Sequence, residues 1–169
     1  FPIFVRRMTS AVVAFAFGVP HTLPGNRAIA AAASAKARSL PGPVYTQRDV
    51  LPLDDGIEAV LVEEQPPLRV PTLRIARGAI AWATGRGVAE LWVCAAPPHQ
   101  ARAMRDLRFA CEEANARIAL RLCDGLEREP GFWFSPQSTQ PDTRLRWLWS
   151  LRDGVLLSMP MWLYARIAS

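Results

Sequence analysis

The chain is short of clustered positive charge. Its 169 residues carry a net charge of +5, but they include only one lysine, Lys36, and the arginines are dispersed. A nucleic-acid-binding face needs a dense basic cluster, so we expect no nucleic-acid partner. The sequence also has no Cys-x-x-Cys pair, so Cys94, Cys111 and Cys123 suggest neither a zinc site nor a disulfide framework. A reducing cytoplasm is the expected location.

Several catalytic signatures are missing as well. The chain has no Walker lysine, no Gly-x-Gly-x-x-Gly fingerprint and no Gly-x-Ser-x-Gly elbow. Two arginines precede a short apolar run near the start and superficially imitate a signal peptide. We interpret that run as a core strand; a signal, or anchoring by a segment outside this sequence, stays open as the alternative.

Alternating apolar and helix-forming segments make up most of the chain. Patterns predict strands over 11–17, 43–47, 56–62, 88–95 and 117–122, and helices over 26–39, 71–85 and 98–115. This alternation indicates an α/β fold: a three-layer Rossmann-like domain with a largely parallel sheet of about five strands.

The rest of the chain completes one expected domain. Residues 125–141 have the composition of a long surface loop, and residues 142–167 favour a helix that Pro160 should break. Neither a repeat nor a linker divides the sequence. We therefore expect a single domain over residues 1–169, with residues 1–9 as a poorly ordered extension.

The segment from Glu90 to Ala103 is the strongest indication of a site. A predicted strand stops at two prolines, and His99 and Arg102 follow three residues apart on one helix face. Ligands of open α/β sheets bind beyond the carboxyl ends of the strands, where helix N-termini attract anions. Arg102 suits a phosphate or carboxylate, and His99 is the candidate catalytic residue. The alternative is that His99 caps its helix and Arg102 pairs with a neighbouring acid.

Other polar residues follow the predicted strands. His21 follows the first strand, Gln47 the second and Glu64 the third, so we expect them to line the same cleft as ligand-binding residues. Glu64 suits ribose hydroxyls, or is a solvated loop charge. Two histidines and a glutamate could supply three metal ligands, but the chain has no His-x-x-x-His pair, and no metal site is predicted. Asn26 is placed to cap the first helix.

The order of these motifs resembles the bacterial family of unknown function typified by the YdcF, SanA and ElyC proteins. The resemblance rests on Asn26-Arg-Ala-Ile-Ala, on Thr72 at a helix start, and on the strand followed by His99-Gln-Ala-Arg102-Ala. It implies a Rossmann-like fold and places Asn26 and Thr72 among the ligand-binding residues. The chain departs from the family in lacking a glycine-rich turn after the second strand and the Glu and Asn expected after Thr72.

These features predict two functions of different classes. The first is binding of a phosphate-bearing or nucleotide-like small molecule, including a nucleotide or an S-adenosylmethionine-like ligand, with enzymatic activity left open. In that case Arg102→Ala should abolish anion binding with little loss of fold. The second is a catalytically silent scaffold that contacts a protein, a membrane surface or a second copy of itself, in envelope-related processes as the resemblance implies. The C-terminal aromatic residues suggest this second function; they are Trp147, Trp149, Trp162 and Tyr164. We expect them to pack against the sheet, and if they are exposed we expect them to form an interface.

Overall fold

A five-stranded parallel sheet forms the centre of the molecule. The computed structural model describes residues 10–40, 42–64 and 70–169, so the expected extension over residues 1–9 lies outside the described residues. The strands are β1 (Ser10–Ala14), β2 (Val44–Thr46), β3 (Ala59–Leu61), β4 (Glu90–Cys94) and β5 (Ala119–Leu122). Their spatial order is β3-β2-β1-β4-β5, and every pair is parallel. The predicted fold class is thus confirmed: the chain is a Rossmann-like three-layer α/β protein.

Five α-helices accompany the strands among the described residues. They are α1 (Pro24–Ser39), α2 (Thr72–Gly85), α3 (Pro97–Glu113), α4 (Arg146–Ser158) and α5 (Met161–Ile167). Prolines occupy the first turns of α1 and α3, where a missing N–H costs nothing. Pro160 separates α4 from α5, so the predicted helix break is confirmed. Within the described parts of the chain, no helix is long and apolar enough to cross a membrane.

Each face of the sheet carries its own apolar core. Along β1, Val12 and Ala14 pack with α1, whereas Ala11 and Val13 pack with α2 and α3 on the opposite face. Successive side chains of a strand point to opposite faces, so a strand covered on both sides reads as an uninterrupted apolar run. This burial explains why the first strand was recognisable from sequence.

The backbone leaves the sheet earlier than the apolar pattern predicts. β1 was expected to reach residue 17 but ends at Ala14. Beyond it, the N–H of Ala16 donates to Gln47 Oε1, and the N–H of Phe17 donates to Asn26 Oδ1, each at 2.9 Å. Side chains thus accept the hydrogen bonds that a neighbouring strand would otherwise accept. Hydrophobic periodicity cannot predict where this change of partner occurs.

The segment over residues 125–141 is mostly exposed, as expected of a surface loop, but some of its side chains also belong to the core. Trp133 and Leu126 are buried in the core on the α1 side of the sheet. A Cβ atom added at Gly25 would lie 3.3 Å from the Trp133 ring, so glycine at the start of α1 lets the indole approach closely. The segment therefore covers α1 as part of the fold.

A disulfide joins Cys94 and Cys123, contrary to the sequence-based expectation. Cys94 ends β4, and Cys123 directly follows β5, the adjacent strand; their Cα atoms are 5.2 Å apart. That separation is within the range that a disulfide spans. Cysteine spacing along the sequence does not reveal this pair because sheet register brings the two residues together, with the Cys123 N–H donating to the Val93 carbonyl.

Candidate functional site

A cavity of about 680 Å³ lies at the carboxyl end of the sheet. The segments that follow β1, β2 and β3 line it, together with the first turns of α2 and α3 and with parts of α4 and α5. The chain crosses from one side of the sheet to the other between β1 and β4, and ligands of doubly wound sheets bind at such a switch point. Cavities of this size take small molecules.

Five of the seven predicted site residues line this cavity. They are Gln47, Glu64, Thr72, His99 and Arg102. The remaining two, His21 and Asn26, lie outside its lining. Position beyond the carboxyl ends of the strands predicts Gln47, Glu64 and the two residues of α3 at this cavity, and the resemblance predicts Thr72. The loop after β1 lines the cavity as well, through Phe17 and Gly18, but His21 on that loop does not.

Asn26 instead shapes the loop after β1. Its buried amide donates to the carbonyls of Gly18 and Pro20 at 3.0 and 3.1 Å, and its oxygen accepts from the Phe17 N–H. It does not cap α1, because that helix already begins at Pro24. Asn26 therefore acts on the cavity only by fixing the loop on which Phe17 and Gly18 lie.

His21 does not approach His99 in the cavity. It is exposed, and its backbone carbonyl accepts a hydrogen bond of 2.6 Å from Arg27 Nε. The expected convergence of the two histidines is therefore absent. Within residues 10–40, 42–64 and 70–169, no group of three histidine, cysteine or acidic side chains is arranged to hold a metal ion.

His99 is held in an aromatic environment. It is 5% exposed, and its ring packs against Phe15, Phe17 and Trp149. Nε2 lies 3.2 Å from Thr72 Oγ1, whereas the buried Nδ1 has no hydrogen-bond partner among the described residues. Its pKa lies well below the ordinary value, chiefly because burial disfavours the charged ring and secondarily because Arg102 and Arg152 are nearby. The neutral ring is a hydrogen-bonding group, not a cationic acid, at neutral pH.

Arg102 is paired and buried. Its Nε lies 3.1 Å from Asp153 Oδ1, but the N–H is not aimed well enough at the oxygen for a hydrogen bond. The guanidinium also lies over the Trp149 ring, 4.9 Å from its centroid. Burial lowers the pKa of Arg102 and raises that of Asp153, so desolvation outweighs their attraction in both cases. The predicted alternative of a neighbouring acid is thus found for Arg102, whereas α3 has no side-chain cap from His99.

The backbone of α3 contributes little to anion binding. Pro97 and Pro98 have no N–H, and the N–H groups of His99 and Gln100 both donate to the Ala96 carbonyl. The sequence-based expectation that free N–H groups attract an anion at this helix start is therefore wrong for its first turn. Positive charge at the cavity comes from side chains instead.

The charged residues of the cavity are divided between its two sides. Arg102 lies on α3, which follows β4. Arg152 lies on α4, which packs against α3, and it forms an ion pair with Asp142. Asp49 follows β2 and Glu64 follows β3, on the other side of β1. Sequence reasoning missed Arg152 and Asp153 because they lie about fifty residues from His99 and Arg102, and no local pattern joins the two segments.

A buried network fastens the C-terminal helices to α3. Tyr164 donates to Asp106 at 2.5 Å, and Arg105 donates to the Leu156 carbonyl at 2.9 Å. The indole of Trp149 donates to the Pro98 carbonyl at 3.0 Å. These contacts place Trp149 and Tyr164 against the cavity, so half of the C-terminal aromatic set is core, as expected.

Strand order and the position of the cavity together define a Rossmann-like α/β protein with a cavity at its switch point. No protein-family model, curated protein or solved structure matches the chain.

The neutral His99 predicts a pH-dependent stability. Below about pH 6.5 the unfolded chain takes up a proton at this position while the native protein does not, so stability should fall as pH falls. The slope should approach about 1.4 kcal/mol per pH unit, measured by urea unfolding between about pH 7.5 and about pH 5.5.

The matched variants for this prediction are His99→Gln and His21→Gln. The first should lose the slope and the second, at an exposed position, should keep it. Asp106 and Asp153 have raised pKa values, chiefly because of burial, and contribute a slope of the opposite sign. Subtracting the His99→Gln curve from the wild-type curve removes their contribution. An unchanged slope in His99→Gln would contradict the assignment.

Proposed function

We propose that the cavity binds a phosphate-bearing, nucleotide-like small molecule. The observation that carries this proposal is the division of charge across a switch-point cavity, with Arg102 and Arg152 on one side and Asp49 and Glu64 on the other. A nucleotide has the matching polarity, since phosphate oxygens accept from guanidinium groups and sugar hydroxyls donate to carboxylates.

The ion pair of Arg102 supports a ligand role. A buried charge pair without a well-formed hydrogen bond is a poor stabiliser of a fold. An incoming phosphate would supply Arg102 with further negative charge in a region where water is scarce. His99 would then orient the ligand as a neutral hydrogen-bonding group. The negative charge of the bound phosphate would favour protonation of His99.

We also propose membership of the YdcF, SanA and ElyC-type family. The support is His99 and Arg102 three residues apart after β4, and Thr72 within hydrogen-bonding distance of His99. Only the resemblance predicts Thr72 as a ligand-binding residue. Its contact with the motif histidine is what a shared ligand site would require.

The test is a thermal-shift screen followed by calorimetry with AMP, ATP, sugar phosphates, S-adenosylmethionine and inorganic phosphate. A nucleoside phosphate should raise the melting temperature of the native protein by mass action. Arg152→Gln should weaken its binding by at least about tenfold, because a charged hydrogen bond contributes about 1.5–3 kcal/mol.

Arg38→Gln is the matched control. Arg38 is also a half-exposed arginine in an ion pair, with Asp54, but it lies outside the cavity lining. This variant should bind like the wild type. Absence of any shift at millimolar nucleotide, or equal weakening in both variants, would refute the proposal. Binding of S-adenosylmethionine without binding of any phosphate compound would also refute it.

A further inference from the structure

The outer face of α4 is apolar. Trp147, Leu151 and Val155 follow one another at intervals of four residues, so they share one side of the helix. Trp147 and Leu151 are 64% and 62% exposed, whereas Trp149 and Asp153 on the opposite side are buried. Such a stripe on a helix that already covers the core with its other face is an unsatisfied contact surface.

Helix α5 also exposes apolar side chains. On α5, Trp162 is 64% exposed, and Leu163 and Ile167 are exposed as well. We call these six residues the C-terminal surface: Trp147, Leu151 and Val155 of α4, and Trp162, Leu163 and Ile167 of α5. Tryptophan side chains are enriched at the interface between a membrane and water, and exposed tryptophans suit that position.

The charge around the C-terminal surface has one sign. Residues 144–169 contain four arginines and a single acidic residue, Asp153. That acid is buried and paired with Arg102, and Arg152 is paired with Asp142, so the positive charge at the surface comes from the other three arginines. Arg146 is exposed at the start of α4, and Arg166 is exposed in the last turn of α5.

A second cavity, of about 500 Å³, lies along the flank of α4. Most of its lining is apolar, and its charged residues are Arg128, Arg146 and Asp153, the last of which is paired with Arg102. The apolar side chains include Pro98, Trp133, Phe134 and Leu157. An apolar groove with guanidinium groups beside it matches a lipid, whose acyl chain is apolar and whose headgroup phosphate is anionic.

We propose that the C-terminal surface docks on a membrane that contains anionic phospholipids. The tryptophans and leucines enter the headgroup region, and the arginines contact lipid phosphates. The membrane accounts for both the apolar stripe and the excess of arginine. In a dimer formed through this surface, the arginines of the two copies would repel each other. A membrane therefore fits this surface better than a second copy of the chain does.

The experiment is co-sedimentation of the full chain with phosphatidylcholine vesicles, with and without phosphatidylglycerol. Binding should require the anionic lipid and weaken as salt concentration rises. Trp147→Ser combined with Leu151→Ser should reduce the partition coefficient by more than about tenfold. Arg146→Gln combined with Arg166→Gln should reduce it by about fivefold per charge.

Two control variants lie elsewhere on the molecule. Leu122→Ser changes an exposed leucine on β5, and Arg48→Gln changes an exposed arginine near β2; both should bind vesicles like the wild type. No binding to anionic vesicles, or equal losses in the controls, would overturn the proposal. The proposal would also be overturned if the protein did not bind vesicles and instead formed a dimer, detected by light scattering, that Leu151→Ser dissociates.

Discussion

Replacing Arg102 by alanine is expected to destabilise the protein by about 3–5 kcal/mol, because the variant leaves the Asp153 carboxylate buried without its counter-ion. Both side chains are largely withdrawn from water, and Asp153 Oδ1 has no hydrogen bond among the described residues to replace the lost partner. This expectation corrects the sequence-based one, in which Arg102→Ala would leave the fold almost unchanged. The measurement is the free energy of unfolding in urea at neutral pH.

A double substitution separates the charge effect from simple loss of packing. Arg102→Leu with Asp153→Leu removes both charges together, so it should be more stable than either single variant and should approach the wild type. Removing the exposed pair of Arg38 and Asp54 should cost no more than about 1 kcal/mol. If the double leucine variant were as unstable as Arg102→Ala, the burial of an uncompensated charge would not be the cause.

The fold was predictable because its signals are local. Apolar runs near glycine or proline predicted the first four strands, a weaker alternation over 117–122 predicted β5, and helical composition predicted α1, α2 and α3. The strand ends were less predictable, since they depend on which side chain meets the backbone. β1 stops at Ala14 because Gln47 and Asn26, on other segments, accept the next N–H groups.

The candidate site divides in the same way. His99 and Arg102 lie on one helix turn, and their shared position could be read from spacing. Asp153 reaches Arg102 only after α4 has folded against α3, and the sequence contains no local pattern that brings them together. The C-terminal aromatics show the limit most clearly: Trp149 and Trp147 are two residues apart, yet one is core and the other is exposed.

Reduction of the disulfide between Cys94 and Cys123 is expected to lower the free energy of unfolding by about 3–4 kcal/mol. The cysteines are 29 residues apart, and cross-linking a loop of that size restricts the unfolded chain by about this amount in the chain-entropy model. Urea unfolding with and without a phosphine reductant measures the difference. The double variant Cys94→Ala with Cys123→Ala should show no response to the reductant.

Cys111 provides the internal control for this prediction. It is the only free cysteine among the described residues, and burial raises the pKa of its thiol. Thiol labelling of the denatured, unreduced protein should therefore modify one cysteine, and labelling after reduction should modify three. Cys111→Ser should abolish labelling of the unreduced protein and keep the full effect of the reductant on stability. Three reactive thiols without reductant would show that the cross-strand pair is reduced, and the stability difference should then vanish, because the loop closed by the disulfide is what restricts the unfolded chain.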